Sequence, residues 1–228
     1  MEATFSFVML SWARPRNLPA ILSNVFSQPF VDDVVLLHQG IPAIGPDQLG
    51  LPPSELKRVL LRNAPENHFM WSRFSACRCA KHDRILTCDD DNLVKNWPAI
   101  AEAFASNPEV IAAALCDGHY AQDMRCHWGD AHEVLLGWGA AFDRRWISEA
   151  FAPYIAKHGH DALLDRKADR LFSILLNRKH QILPAVFREL PGATDADMAL
   201  YRRADHKDLT REARRRALDL LGIEGGRV

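Results

Sequence analysis

The chain has 228 residues, of which 48% are hydrophobic and 25% charged, with a formal net charge of -1. That length suits one large domain, or one domain and a tail, and the near-neutral balance lacks the global basic field of a non-specific nucleic-acid binder. No stretch approaches the ~20 apolar residues of a membrane span and no basic segment precedes the apolar run at Phe5–Leu10, so no integral membrane segment and a cytoplasmic location are expected.

In chain order, Phe5–Leu10 reads as a buried strand, Ser11–Arg16 as a loop, and Leu18–Phe26 as an amphipathic helix. Val31–Leu37 is a second β-rich run. Gly40–Pro53 holds four of the 13 prolines and three glycines, and reads as a loop before a short strand at Lys57–Leu61. Arg84–Cys88 is a fourth strand and runs into Asp89-Asp90-Asp91-Asn92. Asn96-Trp97-Pro98 opens a helix that closes before Asn107-Pro108. Val110–Leu115 and Val134–Leu136 are further strands, the second leading into Gly137-Trp-Gly139-Ala-Ala-Phe142. Helices are expected near Arg144–His158, Ala162–Asn177 and Lys207–Leu221. Strands alternating with helices indicate an α/β sheet with parallel strands, in which ligands bind at the carboxyl ends of the strands. The five cysteines (Cys77, Cys79, Cys88, Cys116 and Cys126) are odd in number and read as reduced thiols.

Three consecutive aspartates at a strand end repel one another unless something neutralises them. A hard divalent cation, Mn2+ or Mg2+, would do so, and could clamp a diphosphate as a leaving group. Alternate residues of an extended chain point to one side, so Asp89 and Asp91 can share a ligand and Asp90 is the most dispensable of the three. The competing explanation is a solvated acidic turn with Asp91 or Asn92 as a helix N-cap.

Several motifs then occur in a familiar order. Ser11-Trp-Ala-Arg14 follows the first strand, Val31-Asp-Asp-Val-Val-Leu36 follows the first helix, and Asn67…Arg73-Phe74 precedes the acidic triplet. Leu136-Gly137-Trp-Gly139-Ala-Ala-Phe142 and Ala168-Asp169-Arg170 come after it. This pattern, from about residue 5 to 177, resembles GT-A glycosyltransferases, with the closer likeness to the exostosin-type glycosyltransferase domain. The resemblance implies a GT-A, Rossmann-like α/β fold with a mixed sheet flanked by helices over residues 1–205, followed by a basic helical tail over 206–228. It implies that Arg14 and Arg73 contact the nucleotide, that Asp89 meets the ribose or the metal, and that Asp91 ligates the metal. Asp90 would also lie at the donor, Gly137 and Gly139 would shape the sugar and acceptor pocket, and Asp169 would face the reacting sugar carbon. The glutamate that precedes this aspartate in that family is Ala168 here.

Asp165 lies four residues from Asp169 on a predicted helix, so both carboxylates are expected on one face as a catalytic pair; a charged, solvated helix end is the alternative. Many GT-A enzymes supply a late histidine to the metal and basic residues to the diphosphate, which points to His206 and to Arg202 with Arg203. His38-Gln39 is expected near the base, or as a plain strand-end turn. His119, Tyr120, His127, Trp128 and Trp138 could stack on sugar or base, or belong to the core. Arg211, Arg214, Arg215 and Arg216 make a basic helix face, solvated or guiding an anionic partner. The expected reaction is sugar transfer from a nucleotide-diphosphate sugar, a uridine one by preference, to a glycan, a small molecule or a hydroxylated DNA base. A nucleotidyltransferase is the alternative enzyme, though Ser11–Leu18 has no phosphate-loop glycine. A non-catalytic nucleotide-sugar- or glycan-binding module is the alternative outside catalysis.

Overall fold

The computed structural model describes residues 4–114, 129–131, 133–183, 187–193 and 203–223. Strand β1 (Phe5–Ser11) is buried along its whole length. It pairs in parallel with β2 (Val31–Gln39) on one side and β4 (Arg84–Thr87) on the other. Strand β3 (Val59–Ala64) extends the sheet in parallel beyond β2. A near-continuous apolar run is what a strand covered on both faces requires. One face is covered by helices α1 (Leu18–Phe26) and α4 (Trp97–Ser106), which meet where Trp97 Nε1 donates to Asn24 Oδ1 at 3.1 Å and bury Leu18, Ile21, Leu22 and Val25 or Trp97, Ile100 and Phe104 at helical spacing; the other face is covered by Phe74 and Phe172, packed around Phe142. Trp97 meets Phe7 edge-on with ring centroids 5.6 Å apart.

Beyond β4 the sheet is mixed. Strand β8 (Ala140–Asp143) runs antiparallel to β4 and to the two-residue β6 (Ala112–Ala113), and β9 (His180–Ile182) and β7 (Gly129–Ala131) complete the order β3-β2-β1-β4-β8-β6-β9-β7. The expected strand at Val110–Leu115 thus contracts to two residues. Val134 makes only an isolated bridge, and Leu136–Trp138 is a 3-10 turn instead of a strand. A second, two-stranded sheet pairs β5 (Asn92–Val94) antiparallel with β10 (Phe187–Glu189).

Two short elements complete the scaffold, α2 (Pro53–Leu56) and α3 (Trp71–Ala76). Helix α3 was not expected. Its Phe74 ring sits 4.8–6.1 Å from the rings of Phe172, Phe151 and Phe142, so one face of a six-residue helix is locked into an aromatic cluster. Helix α5 is Trp146–His158, α6 is Ala162–Leu175 and α7 is His206–Leu220. Helix α7 packs on α6, with Ala213, Ala217 and Leu218 buried. Its arginines are paired with carboxylates: Arg211 with Asp208, Arg214 with Glu133, Arg215 with Glu212, and Arg216 with both Glu212 and Asp161. No helix among the described residues is long and apolar enough to cross a membrane.

Candidate functional site

Because β1 to β4 are parallel, their carboxyl ends meet at one edge of the sheet. There Trp12, Gln39, Asn67 and Asp89–Asp91 line a cavity of about 520 Å³. Strand β8 runs the other way, so the turn before it, Gly137 and Trp138, reaches the same edge. The same cavity is lined by Arg166, Lys167, Asp169 and Arg170 of α6 with His206 and Lys207 of α7.

Long-range backbone bonds set the acidic turn. Asp89 N–H donates to Gly137 O at 2.7 Å, and Leu190 N–H donates to Asp91 O at 2.7 Å. Gly137 is required here, since a Cβ on it would lie 2.0 Å from Asp89 Oδ2. Gly139 serves the backbone, with φ +112 and a would-be Cβ 2.9 Å from Val94.

The three aspartates play different parts. Asp90 is buried and accepts from Trp12 N–H at 2.7 Å and from Arg14 Nη1 at 2.8 Å, while Asn17 Nδ2 donates to its carbonyl at 2.8 Å. Arg14 Nε reaches Gly192 O at 3.1 Å and Asn17 reaches Pro191 O at 3.0 Å. Asp90 is therefore the least dispensable of the three for structure, contrary to expectation: its side chain turns inward and pins the loop after β1 and the turn after β10. Ala13 in that loop is held at φ +61, and Phe69 on the facing loop at φ +53; such strain at non-glycine residues persists where surrounding contacts over-determine it. Asp91 stays nearer the cavity, 3.4 Å from Arg14 Nη1. Asp89 and Asp169 are bridged by Arg73, whose two Nη atoms take one carboxylate each.

These contacts correct the expected role of Arg73. Arg73 has no exposed surface and both Nη atoms on carboxylates, so it has no route to a nucleotide. Arg14 is held by Asp90 and the Gly192 carbonyl and lines the cavity. Asp165 does not line the cavity; it pairs with His160 at 2.6 Å. The reason is a break in α6 at Lys167 (φ -130, ψ 20), which rotates Asp165 off the face that Asp169 shares with the cavity. His206 does line the cavity, but its Nδ1 lies 3.1 Å from Lys167 Nζ, which engages the lone pair that a metal would use there. Arg202, His119, Tyr120, His127 and Trp128 lie outside the described residues. His38, at the end of β2, bonds Ser11 Oγ and Pro42 O and serves the turn. Gln39 clamps the Asn67–Ser72 segment, with its Oε1 accepting from His68 N–H and Ser72 Oγ at 2.8 Å each.

Among the described residues, the cations in direct contact with Asp89, Asp90, Asp91 and Asp169 are Arg14 and Arg73. Four carboxylates against two guanidiniums leave an excess of two negative charges when all are ionised. Burial pushes the Asp90 carboxyl up to about 6 against the pull of Arg14. Burial and the nearby Asp89 charge raise Asp91 in spite of Arg14, and burial raises Asp169 although Arg73 opposes it. Burial would lower the Arg73 guanidinium, but Asp169 and Asp89 outweigh it and hold the proton more firmly. Asp169 Oδ1 and Asn92 Oδ1 are buried with no hydrogen-bond partner among the described residues. An excess of two negative charges carried on hard carboxylate oxygens fits a divalent cation such as Mn2+ or Mg2+.

A second acidic group lies elsewhere. Ligand atoms of Asp32, Asp33 and His82 fall within 4.8 Å of one another, a spacing that could hold a metal ion. Asp33 is paired across the sheet with Ser6 at the start of β1, so this group is at the opposite edge from the cavity. Its oxygens already have donors: Ser6 Oγ at 2.5 Å and Lys81 N–H at 3.2 Å on Asp33, with His82 Nε2 at 3.0 Å on Asp32.

No protein-family model matches the sequence, and no curated protein matches it. Solved structures do match in shape. A mannosyltransferase from Pyrobaculum calidifontis, PcManGT, in complex with GDP-Man and Mn2+ aligns over 98% of this chain and 69% of its own, with 16% identity and TM-score 0.62. S. aureus TarS 1-349 aligns over 97% of this chain and 74% of its own, with 15% identity and TM-score 0.56. HddC from Yersinia pseudotuberculosis aligns over 82% of this chain and 95% of its own, with 11% identity and TM-score 0.54. At these identities the likeness is one of fold: the chain is an α/β domain of the GT-A, Rossmann-like type.

Proposed function

We propose that the chain is a metal-dependent glycosyltransferase that takes a sugar from a nucleotide-diphosphate donor to a hydroxyl acceptor. The observation that carries this reading is the excess of carboxylate charge at the carboxyl end of parallel strands, lining a cavity. Asp91, with Asp89, would hold the cation, which when bound supplies charge neutralisation to the leaving diphosphate. Asp90 and Arg14 hold the acidic turn in place. Arg166 and Arg170 are already paired with Asp205 and Glu133, so Lys207 at the start of α7 would offer the diphosphate a positive charge, and Gly137 keeps room beside Asp89. Asp169, which lines the cavity and shares Arg73 with Asp89, would stand near the reacting sugar carbon, as base or as a negative charge opposite the developing positive one.

The sequence resemblance to the exostosin-type domain favours a uridine donor, whereas PcManGT was solved with GDP-Man. Both belong in the test: a thermal-shift panel of UDP- and GDP-sugars with and without Mn2+, followed by donor hydrolysis. One donor is expected to raise Tm by several degrees only when metal is present. Full metal-dependent hydrolysis by Asp91→Ala would sink the reading. Binding of a donor with no turnover toward glycan, small-molecule or hydroxylated-DNA acceptors would make the chain a binding module instead.

A further inference from the structure

We propose that Arg73 is the positioning residue of this site: it fixes the separation between the metal-side carboxylate Asp89 and the sugar-side carboxylate Asp169, and does not touch the donor. This rests on the glycosyltransferase reading above. Three observations carry it. Arg73 is fully buried, and its two Nη atoms each hold a different carboxylate, one after β4 and one on α6. The helix that bears it is locked on both sides, by Phe74 in the aromatic cluster and by Ser72 Oγ donating to Gln39 at 2.8 Å. The bridge also uses one oxygen of each carboxylate and leaves the other. Asp89 Oδ2 lies against Gly137, and Asp169 Oδ1 is buried without a partner among the described residues.

A planar fork can serve two carboxylates in fixed directions; an ammonium on a flexible stem is a point charge without that fork. Arg73→Lys therefore keeps the charge and loses the spacing. The measurement compares wild type, Arg73→Lys and Arg73→Gln for kcat, donor KM and Mn2+ affinity by electron paramagnetic resonance. With Arg73→Lys, kcat is expected to fall about a hundredfold, with KM and Mn2+ affinity each within about threefold of wild type. A raised KM with kcat preserved would overturn the proposal in favour of a donor contact. Unchanged kcat and KM with only a lowered Tm would overturn it in favour of a purely structural ion pair.

Arg73→Gln removes a cation that competes for Asp89, so Mn2+ binding is expected to tighten severalfold. Unchanged or weaker Mn2+ binding by a folded Arg73→Gln protein overturns the bridge whether or not the enzyme turns over. If no donor is processed by wild type, the glycosyltransferase reading fails, and the Mn2+ affinities of the two variants still decide the bridge.

Discussion

The two acidic groups of this protein lie at opposite edges of one sheet and contain the same residue type, yet they differ in what their charges meet. Asp32 and Asp33 are answered locally: Ser6, the Lys81 backbone and His82 donate to them, and Lys81 Nζ stands 3.7 Å from Asp32. Asp89, Asp90, Asp91 and Asp169 share two arginines and retain a deficit of positive charge. Proximity of carboxylates alone does not make a cation site. The site is made by carboxylate charge in excess of the cations that touch it, at an edge where the chain also encloses a cavity.

Breaking the two groups separately tests that distinction. Asp91→Ala should cost roughly a thousandfold in metal-dependent turnover, about 4 kcal/mol at the transition state, while Asp32→Asn and His82→Ala stay within about twofold. Loss of metal dependence from the Asp32 or His82 change would reverse the assignment. Asp90→Ala should act on the fold before the chemistry. It strands the buried Arg14 guanidinium and removes the acceptor of Trp12 N–H, a loss of about 3 kcal/mol in urea unfolding. A change under 1 kcal/mol would return Asp90 to the minor place that its alternation with Asp89 and Asp91 first suggested.

The fold was legible in the sequence where burial is periodic or continuous. Leu18–Phe26 is the helix its apolar spacing announces, and the apolar run at Phe5 is the central strand. The order of strand ends followed, and with it the location of the acidic turn. What stayed hidden depends on long-range pairing. Helix α3 is one and a half turns long and buries an arginine, so its composition reads as loop until Asp89 and Asp169 arrive to neutralise Arg73. The break at Lys167 leaves no local mark either. Lys167 is drawn to Thr210 at 2.9 Å on α7, and that tertiary contact accompanies the departure from helical spacing that separates Asp165 from Asp169. The arginines at residues 211–216 looked like a free basic face because their carboxylate partners include Asp161 and Glu133, far away in sequence.

Two smaller effects sharpen the comparison further. In Gly137→Ala the new methyl would meet Asp89 Oδ2 at 2.0 Å and push that carboxylate aside. Mn2+ affinity should weaken by about tenfold, roughly 1.4 kcal/mol, with Tm little altered. An unchanged affinity would remove Asp89 from the metal's neighbourhood and leave the ion to Asp91.

The smallest effect is a slope of stability with pH. Burial raises Asp90 to about 6 and raises Asp91 and Asp169 above the ordinary carboxylate range. A carboxyl whose value is higher folded than unfolded keeps a proton that the unfolded chain has released. Its contribution is fully present below about pH 4 and is lost as pH rises through the folded value. The metal-free protein, kept with a chelator, should therefore lose several degrees of Tm between pH 5 and 7.5. Asp143 and Asp161, held low by Arg145 and by Leu164 N–H with Arg216 despite partial burial, act in the opposite sense, but their window lies below the ordinary carboxylate value and outside this range; His38, held low by burial, opposes the slope within the range, one group against three. Saturating Mn2+ competes with those protons and should flatten or reverse the slope, and Asp91→Asn should flatten it without metal. A metal-free Tm that rises from pH 5 to 7.5 would mean that the acidic turn is already neutralised from within, as the Asp32–Asp33 group is, and would erase the difference between the two edges of the sheet.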